Sequence, residues 1–200
     1  MRLSRDQMRD FYDGEMPDRA GRPLGSDREG RLALFVEECL RRGVRSVVEV
    51  GCGAGRDGLP MVRAGLAYAG VDLSPVAVEI CRELGLGAQE GLATALPFED
   101  AAFDAGWAMS TLMHLEGDEM LEAVAELGRV VRPGGLLEIG VWGHQQRTEW
   151  VAEDGRYFRT RTDDELRVIL GRVGDVQAFE TWDWSDDGGH YQWARVRVRS

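Results

Sequence analysis

Short apolar runs, several of them rich in valine, alternate along this chain with longer stretches in which apolar positions recur every three or four residues. The runs SVVEV (46–50), LAYAGVD (66–72), GAQEG (87–91), FDAGWAM (103–109) and GLLEIGVWG (135–143) read as strands. Helical periodicity falls between them, after Asp57, after Pro75 and from about Asp118 to Val131. Ser74 before Pro75 is an N-cap signal, and Thr162 with Glu165 spells a capping box that opens a helix over 163–172. Strands separated by helices pair in parallel through right-handed crossovers, which predicts an α/β protein: an open, mostly parallel sheet with helices on both faces.

The two ends depart from this alternation. Residues 1–30 are polar and glycine-containing, with little apolar surface until Leu32, Leu34, Phe35 and Leu40, and they read as a loose arm followed by a helix. At the other end DVQAFETWDW (175–184) and HYQWARVRVR (190–199) flank SDDGG, whose Gly188 and Gly189 suit a turn with positive φ, so a C-terminal antiparallel hairpin is expected. No repeat or linker divides the chain. Residues 1–43 are read as an arm and helix able to act as a lid, and 44–200 as one domain.

Composition narrows the function. Hydrophobic residues at 44% and charged residues at 30% of 200 are those of one ordinary globular core. A net charge of −11 without a basic cluster argues against a nucleic-acid partner, since phosphate binding needs clustered positive charge. All 24 basic residues are arginine, which excludes a lysine Schiff base, a P-loop lysine and a lysine general base. Cys39, Cys52 and Cys81 are odd in number and widely spaced, which fits neither a disulfide framework nor a zinc finger and points to a reducing cytoplasm. No stretch reaches 18 apolar residues, and the N-terminus lacks a signal-peptide core, so neither a membrane nor secretion is expected. The lysine-free, Arg-, Ala-, Gly- and Val-rich composition fits a GC-rich bacterial genome.

The sharpest motif is VVEVGCGAGRD (47–57), a hydrophobic strand followed by Gly51, Gly53 and Gly55 and then a helix near Asp57. Alternate glycines let the backbone turn sharply and let a ligand approach where a Cβ would collide. The dinucleotide fingerprint G-x-G-x-x-G would need a glycine at position 56, which is Arg56. Glu49, two residues before the loop, favours a cationic amine over a pyrophosphate. Asp72, at the end of the next strand, is placed to accept ribose hydroxyls.

With these features the sequence resembles the class I S-adenosylmethionine-dependent methyltransferases of the small-molecule type. The resemblance runs from about Val44 to Val141 and includes GVDLS, ALPFEDAAFDAGW (95–107) and RVVRPGGLLEIG (129–140). It implies a Rossmann-like sheet and S-adenosylmethionine as cofactor. It further implies that Glu49, Gly51, Gly53 and Gly55 line the methionine and ribose part, that Asp72 binds the ribose and that Leu73 packs on adenine. Leu92 stands where relatives often carry an Asp that holds the adenine amino group, leaving the backbone of Leu92 and Ala93 to reach the ring. Met109 and Ser110 match positions flanking the methionine moiety. In relatives an N-terminal segment forms a lid, where an arginine such as Arg19 or Arg22 can pair with the methionine carboxylate.

Ligands of open α/β sheets bind beyond the carboxyl ends of the strands. All three histidines are expected on that rim, His114 and His144 as candidate proton acceptors and His190 beside Asp186 and Asp187. Their spacing is too loose to imply a metal site. Trp142, Trp150, Trp182, Trp184 and Trp193 are read first as core, and secondarily as a surface for a cationic or flat acceptor. The expected reaction is in-line methyl transfer to O or N of a small molecule, with alignment more important than a dedicated base. Rivals are a base-modifying nucleic-acid methyltransferase, disfavoured because WAMSTLMHL lacks adjacent prolines; a nicotinamide oxidoreductase; and a non-catalytic cofactor-binding module or partner subunit.

Overall fold

Five parallel strands carry the centre of the molecule, and the two in the middle, rich in valine, alanine and glycine, are buried on both faces along most of their length. In the computed structural model, which describes residues 1–183 and 188–199, these are β1 (Ser46–Val50), β2 (Ala67–Asp72), β3 (Ala88–Glu90), β4 (Phe103–Met109) and β5 (Val131–His144). Two further strands, β8 (Gly174–Asp183) and β9 (Gly189–Val198), form the C-terminal hairpin. The sheet order is β3-β2-β1-β4-β5-β9-β8, with β9 antiparallel between β5 and β8. The chain thus leaves β1 in one direction and returns to β4 in the other, and a topological switch point lies between them.

Helices cover both faces. On one side α5 (Glu119–Val130) and α6 (Asp163–Leu170) bury Leu127, Val130, Leu166 and Leu170 against Ile139, Val196 and Val198. On the other, α2 (Ser26–Arg41) and α3 (Gly58–Arg63) bury Phe35, Cys39 and Met61 against Trp107 and Leu136. The Ser74 cap opens α4 (Pro75–Glu83), and the Thr162–Glu165 capping box opens α6. Among the described residues no helix is long and apolar enough to cross a membrane.

Two elements differ from the sequence expectation. The N-terminal segment is not a loose arm: Arg5–Ala20 form a 16-residue helix, α1, started by a capping box in which Ser4 accepts from the Gln7 amide and the Gln7 side chain accepts from Ser4 N–H. Its apolar content is low because one narrow stripe, Met8, Tyr12 and Met16, meets the body of the protein. The other is a separate hairpin, β6 (Thr148–Val151) with β7 (Tyr157–Thr160), inserted between β5 and α6. Its register is held by tertiary stacking, with Phe158 between the rings of Trp142 (5.0 Å) and Trp150 (5.2 Å). Trp184, Asp186 and Asp187 lie outside the described residues.

Candidate active site

At the switch point the strand ends open into a cavity of about 380 Å³. Its floor is the loop after β1. Gly51 (φ +77°) and Gly53 (φ +50°) both adopt left-handed backbone that favours glycine. A Cβ on Gly51 would come within 2.6 Å of Thr111 Cγ2, whereas one on Gly53 would meet only Met16 Sδ at 3.8 Å. Gly55 serves packing instead: a Cβ there would meet Leu86 Cδ1 at 2.6 Å and Cys81 Sγ at 3.1 Å, and the residue does not line the cavity.

Asp72, at the end of β2, holds the loop in place. Its Oδ2 accepts the Gly53 N–H at 2.8 Å and its Oδ1 accepts the Ser74 N–H at 3.0 Å, so each oxygen keeps a lone pair for a ligand hydroxyl. Burial pushes this carboxyl up, and the backbone N–H groups of Ser74, Gly53 and Leu73 pull it back. Glu49 lies behind the loop rather than on the cavity wall, and its Oε2 accepts the Tyr68 hydroxyl at 2.5 Å. Burial and the nearby Asp57 raise its carboxyl well above the usual range. Leu73, Leu92 and Ala93 form a side wall with Gly91 and Thr94.

Three guanidinium groups, Arg19, Arg28 and Arg56, line the same cavity as Gly53 and Ala54. Arg28 of α2 is fixed by Asp57, whose buried carboxylate takes Nε at 2.9 Å and Nη2 at 2.6 Å and also accepts Trp107 Nε1 at 2.7 Å. Arg19 Nε is buried without a hydrogen bond among the described residues. Burial and the neighbouring cations hold the Arg56 guanidinium below its ordinary value. Positive charge thus collects at one end of the cavity in a protein of net charge −11.

The roof is α1. Asp13 binds the Ser74 hydroxyl, Met16 packs on Ala54 and Ala77, and Arg5 and Arg2 reach Glu119 (2.8 Å) and Glu116 (2.6 Å). Tyr12 Oη lies 2.9 Å from His114 Nε2. His114, on the single 3-10 turn after β4 (Leu112–His114), has Nδ1 at 2.9 Å from the Tyr157 carbonyl oxygen. That carbonyl only accepts, so Nδ1 carries the proton and Nε2 accepts from the Tyr12 hydroxyl. Burial pushes the imidazole down to about 4.

At the end of β4, Met109 and Ser110 also face the cavity. Ser110 has φ +56°, a strained conformation for a residue with a Cβ, and its Oγ is 3.0 Å from Tyr191 Oη on β9.

Of the residues singled out in the sequence, Gly51, Gly53, Asp72, Leu73, Leu92, Ala93, Met109, Ser110 and His114 line one cavity, and Glu49, Gly55 and His144 do not. The three histidines do not converge. His144 ends β5 opposite Gly189, with Nδ1 accepting from the Gln146 amide at 3.0 Å, and His190 is engaged by Asp163 at 2.8 Å. Among the described residues the tryptophans stay off the cavity wall: Trp142 and Trp150 sandwich Phe158, Trp182 stacks on Tyr191, and Trp193 donates to the buried Glu138. Sequence patterns missed Arg28, because an arginine in the first turns of an amphipathic helix reads as solvent-facing. The clue was Asp57, an acid just after the glycine loop with no evident partner.

Comparison with known proteins points to one family. A family model described as a methyltransferase domain matches residues 48–139. A chloroplastic tocopherol O-methyltransferase from Arabidopsis thaliana is 31% identical over 154 residues, 68% of this chain and 43% of that protein. A tRNA (carboxymethyluridine(34)-5-O)-methyltransferase from the same plant is 30% identical over 133 residues, 64% of this chain and 32% of its own. The chain therefore spans less than half the length of these curated relatives. Among solved structures, a Burkholderia thailandensis 1,6-didemethyltoxoflavin-N1-methyltransferase with bound 1,6-didemethyltoxoflavin and S-adenosylhomocysteine superposes with a TM-score of 0.77 at 19% identity, covering 96% of this chain and 88% of that one.

Proposed function

Since the chain belongs to the class I S-adenosylmethionine-dependent methyltransferases, we propose that it moves a methyl group from S-adenosylmethionine to an oxygen or nitrogen of a small-molecule acceptor. The observation that carries this reading is that one continuous cavity joins the Gly53–Asp72 cradle to the Tyr12–His114 pair beneath α1. Its volume of about 380 Å³ lies in the ~300–1,000 Å³ range of single-ligand pockets.

The residues present fit the cofactor. The open face of Gly53 lets a ligand approach the backbone, the free lone pairs of Asp72 suit a ribose diol, and Leu73, Leu92 and Ala93 offer an apolar slot for a purine. Arg19, Arg28 and Arg56 supply the field that a methionine carboxylate requires, and Arg19 Nε, ion-paired with Glu15 at 3.5 Å, makes no hydrogen bond among the described residues. When bound, S-adenosylmethionine supplies an electrophilic methyl group on a sulfonium centre.

The remaining work falls to the protein and is chiefly alignment and exclusion of water. With Nδ1–H committed to Tyr157, His114 holds the Tyr12 hydroxyl in one orientation, and because Arg156 also bonds the Tyr12 oxygen, one lone pair at most is left for an acceptor O–H or N–H. The imidazole is neutral near pH 7 and burial makes it a weak base, so it takes up the Tyr12 proton only as methyl transfer makes the acceptor's own proton strongly acidic. Ser110, fixed by Tyr191, offers a second polar contact at the same end of β4.

A small acceptor is favoured over tRNA because α1 covers part of the cavity and the surface charge opposes a polyanion. Calorimetry with S-adenosylhomocysteine tests the cofactor assignment, with micromolar or tighter saturable binding expected. Incubation with methyl-labelled cofactor and either a metabolite library or bulk tRNA then tests the acceptor class. Label appearing only in tRNA would overturn the small-molecule assignment, and binding with no transfer to any acceptor would favour a non-catalytic module.

A further inference from the structure

Behind the glycine loop lies a chemical feature that methyl transfer does not use. Cys52, between Gly51 and Gly53, and Cys81, on α4, are both buried, and their sulfurs stand 3.9 Å apart. Cys81 Sγ also lies 3.3 Å from the Gly53 carbonyl oxygen. Cys39 packs in a separate cluster with Phe35 and Trp107, so the three cysteines divide into one pair and one isolated thiol.

We infer that Cys52 and Cys81 are a redox modification site: peroxide converts them to a disulfide that distorts the glycine loop and switches off cofactor binding. An S–S bond requires about 2.05 Å between the sulfurs, so the pair must close by roughly 2 Å. The means are local. Cys52 sits between two glycines in left-handed backbone, so the loop can follow its sulfur without straining neighbouring side chains. Access depends on the same loop: Cys52 is buried on the segment that floors the cavity, so peroxide entering the cavity reaches the thiol when that segment moves.

The chemistry balances with hydrogen peroxide as oxidant. One thiol attacks the peroxide O–O bond, which breaks as an S–O bond forms, releasing water and leaving a sulfenic acid. The second sulfur then displaces hydroxide from the first; the S–S bond forms, and its proton leaves with the hydroxide as a second water. A dithiol reductant reverses the process by exchange.

The functional consequence follows from what shares the backbone. Closing the pair ends the Cys81 contact with the Gly53 carbonyl and draws Cys52 towards α4. That movement displaces the Gly53 N–H from Asp72 Oδ2, the bond that sets the cradle. By linkage, a ligand that pins the loop slows disulfide formation.

This rests on the cofactor assignment above, and the test separates the two. Reduced protein is treated with hydrogen peroxide, then its free thiols are counted, its mass and disulfide peptide map are taken, hydrogen exchange over residues 51–55 is measured, and its S-adenosylhomocysteine affinity is determined. The expected result is one remaining thiol, a linked 52/81 peptide pair, faster exchange in the loop and at least tenfold weaker binding, all reversed by dithiothreitol. Cys81→Ser, whose hydroxyl can keep the contact with the Gly53 carbonyl but cannot form the link, should bind like the reduced protein and keep its affinity in peroxide. Failure of the reduced protein to bind the nucleoside would remove the cofactor assignment, while thiol count and loop exchange still decide the disulfide and its effect on the loop. No 52/81 link, oxygen addition to the thiols in place of a link, or a link that leaves loop exchange unchanged would overturn the inference.

Discussion

Tyr12 and His114, 102 positions apart in the chain, share a hydrogen bond of 2.9 Å that ties the roof of the cavity to its wall. Because the other ring nitrogen is held by the Tyr157 carbonyl, the bond has one direction, hydroxyl to imidazole. Roof closure and a defined imidazole tautomer are therefore one event.

Comparing the two partners separates binding from turnover. Tyr12→Phe loses one hydrogen bond, worth about 1 kcal/mol. S-adenosylhomocysteine is then expected to dissociate several-fold faster in stopped-flow release experiments. His114→Ala loses the same bond, so release should quicken to a similar extent, and in addition turnover on the identified acceptor should fall by about tenfold or more, within the range for positioned proton-transfer groups. Equal turnover in His114→Ala and the wild type would leave the imidazole without a part in the reaction.

The same burial makes stability depend on pH. Folding lowers the His114 pKa from 6.5 to about 4, so between those values the unfolded chain binds the extra proton. The His114 contribution is complete above about pH 6.5 and is lost progressively as pH falls towards 4. At 1.36 kcal/mol per unit the loss is at most about 3 kcal/mol. Urea melts of the wild type and His114→Gln, which cannot titrate there, should converge in stability as pH falls from 7 to 4.5. Parallel curves would show that the imidazole is not desolvated.

Asp72 links loop geometry to ligand affinity. Asp72→Asn keeps the volume but replaces one acceptor oxygen by a donor group, which cannot accept from both Gly53 and Ser74 while offering two lone pairs to a diol. A loss of roughly 100-fold or more in S-adenosylhomocysteine affinity is expected, about 2.7 kcal/mol, with a much smaller change in melting temperature. Comparable losses for the nucleoside and for a 2′-deoxyribose analogue in the wild type would argue that the carboxylate orders the loop rather than reading the sugar.

Much of this architecture was legible in the chain because it depends on local chemistry. The alternation of short valine-rich runs with helical periods, the three glycines before Asp57 and the Thr162–Glu165 capping box each act within a few residues. The N-terminal helix was obscured because its stability comes from contacts with Ala54, Ser74, His114 and Glu119, far away in sequence. The β6–β7 hairpin was obscured for the same reason, since Phe158 gains its place only between two tryptophans. In the site, strand-end residues were found by position relative to the sheet. Arg28 was not, because its meaning lies in a carboxylate 29 positions further on.

Gly51 is expected to tolerate no side chain. At φ +77° an alanine carries a left-handed penalty of about 1–2 kcal/mol. Its Cβ would also press on Thr111 Cγ2 and Cβ at 2.6 and 2.7 Å. Gly51→Ala should lower the melting temperature by several degrees and weaken nucleoside binding at least tenfold. Adding Thr111→Gly removes the collision but not the backbone strain, so the double variant should recover part of the stability. No recovery would place the whole cost in the backbone.

Asp57 offers the strongest stability test, because it is almost completely buried while holding two donors, Arg28 and Trp107. Asp57→Ala strands a mostly buried guanidinium and an indole N–H together. Breaking a buried pair from one side costs about 3–5 kcal/mol. For a chain of this size that corresponds to a drop of roughly 10 °C in melting temperature. Replacing both charges, as Asp57→Leu with Arg28→Leu, removes the unpaired cation and should restore a good part of the loss, since paired apolar groups avoid the desolvation penalty. Ligand affinity should not follow stability: if Arg28 contributes to holding an anionic group, the double variant stays weak for S-adenosylhomocysteine while regaining its melting temperature. Recovery of both together would confine Arg28 to a structural part and leave the carboxylate to Arg19 and Arg56.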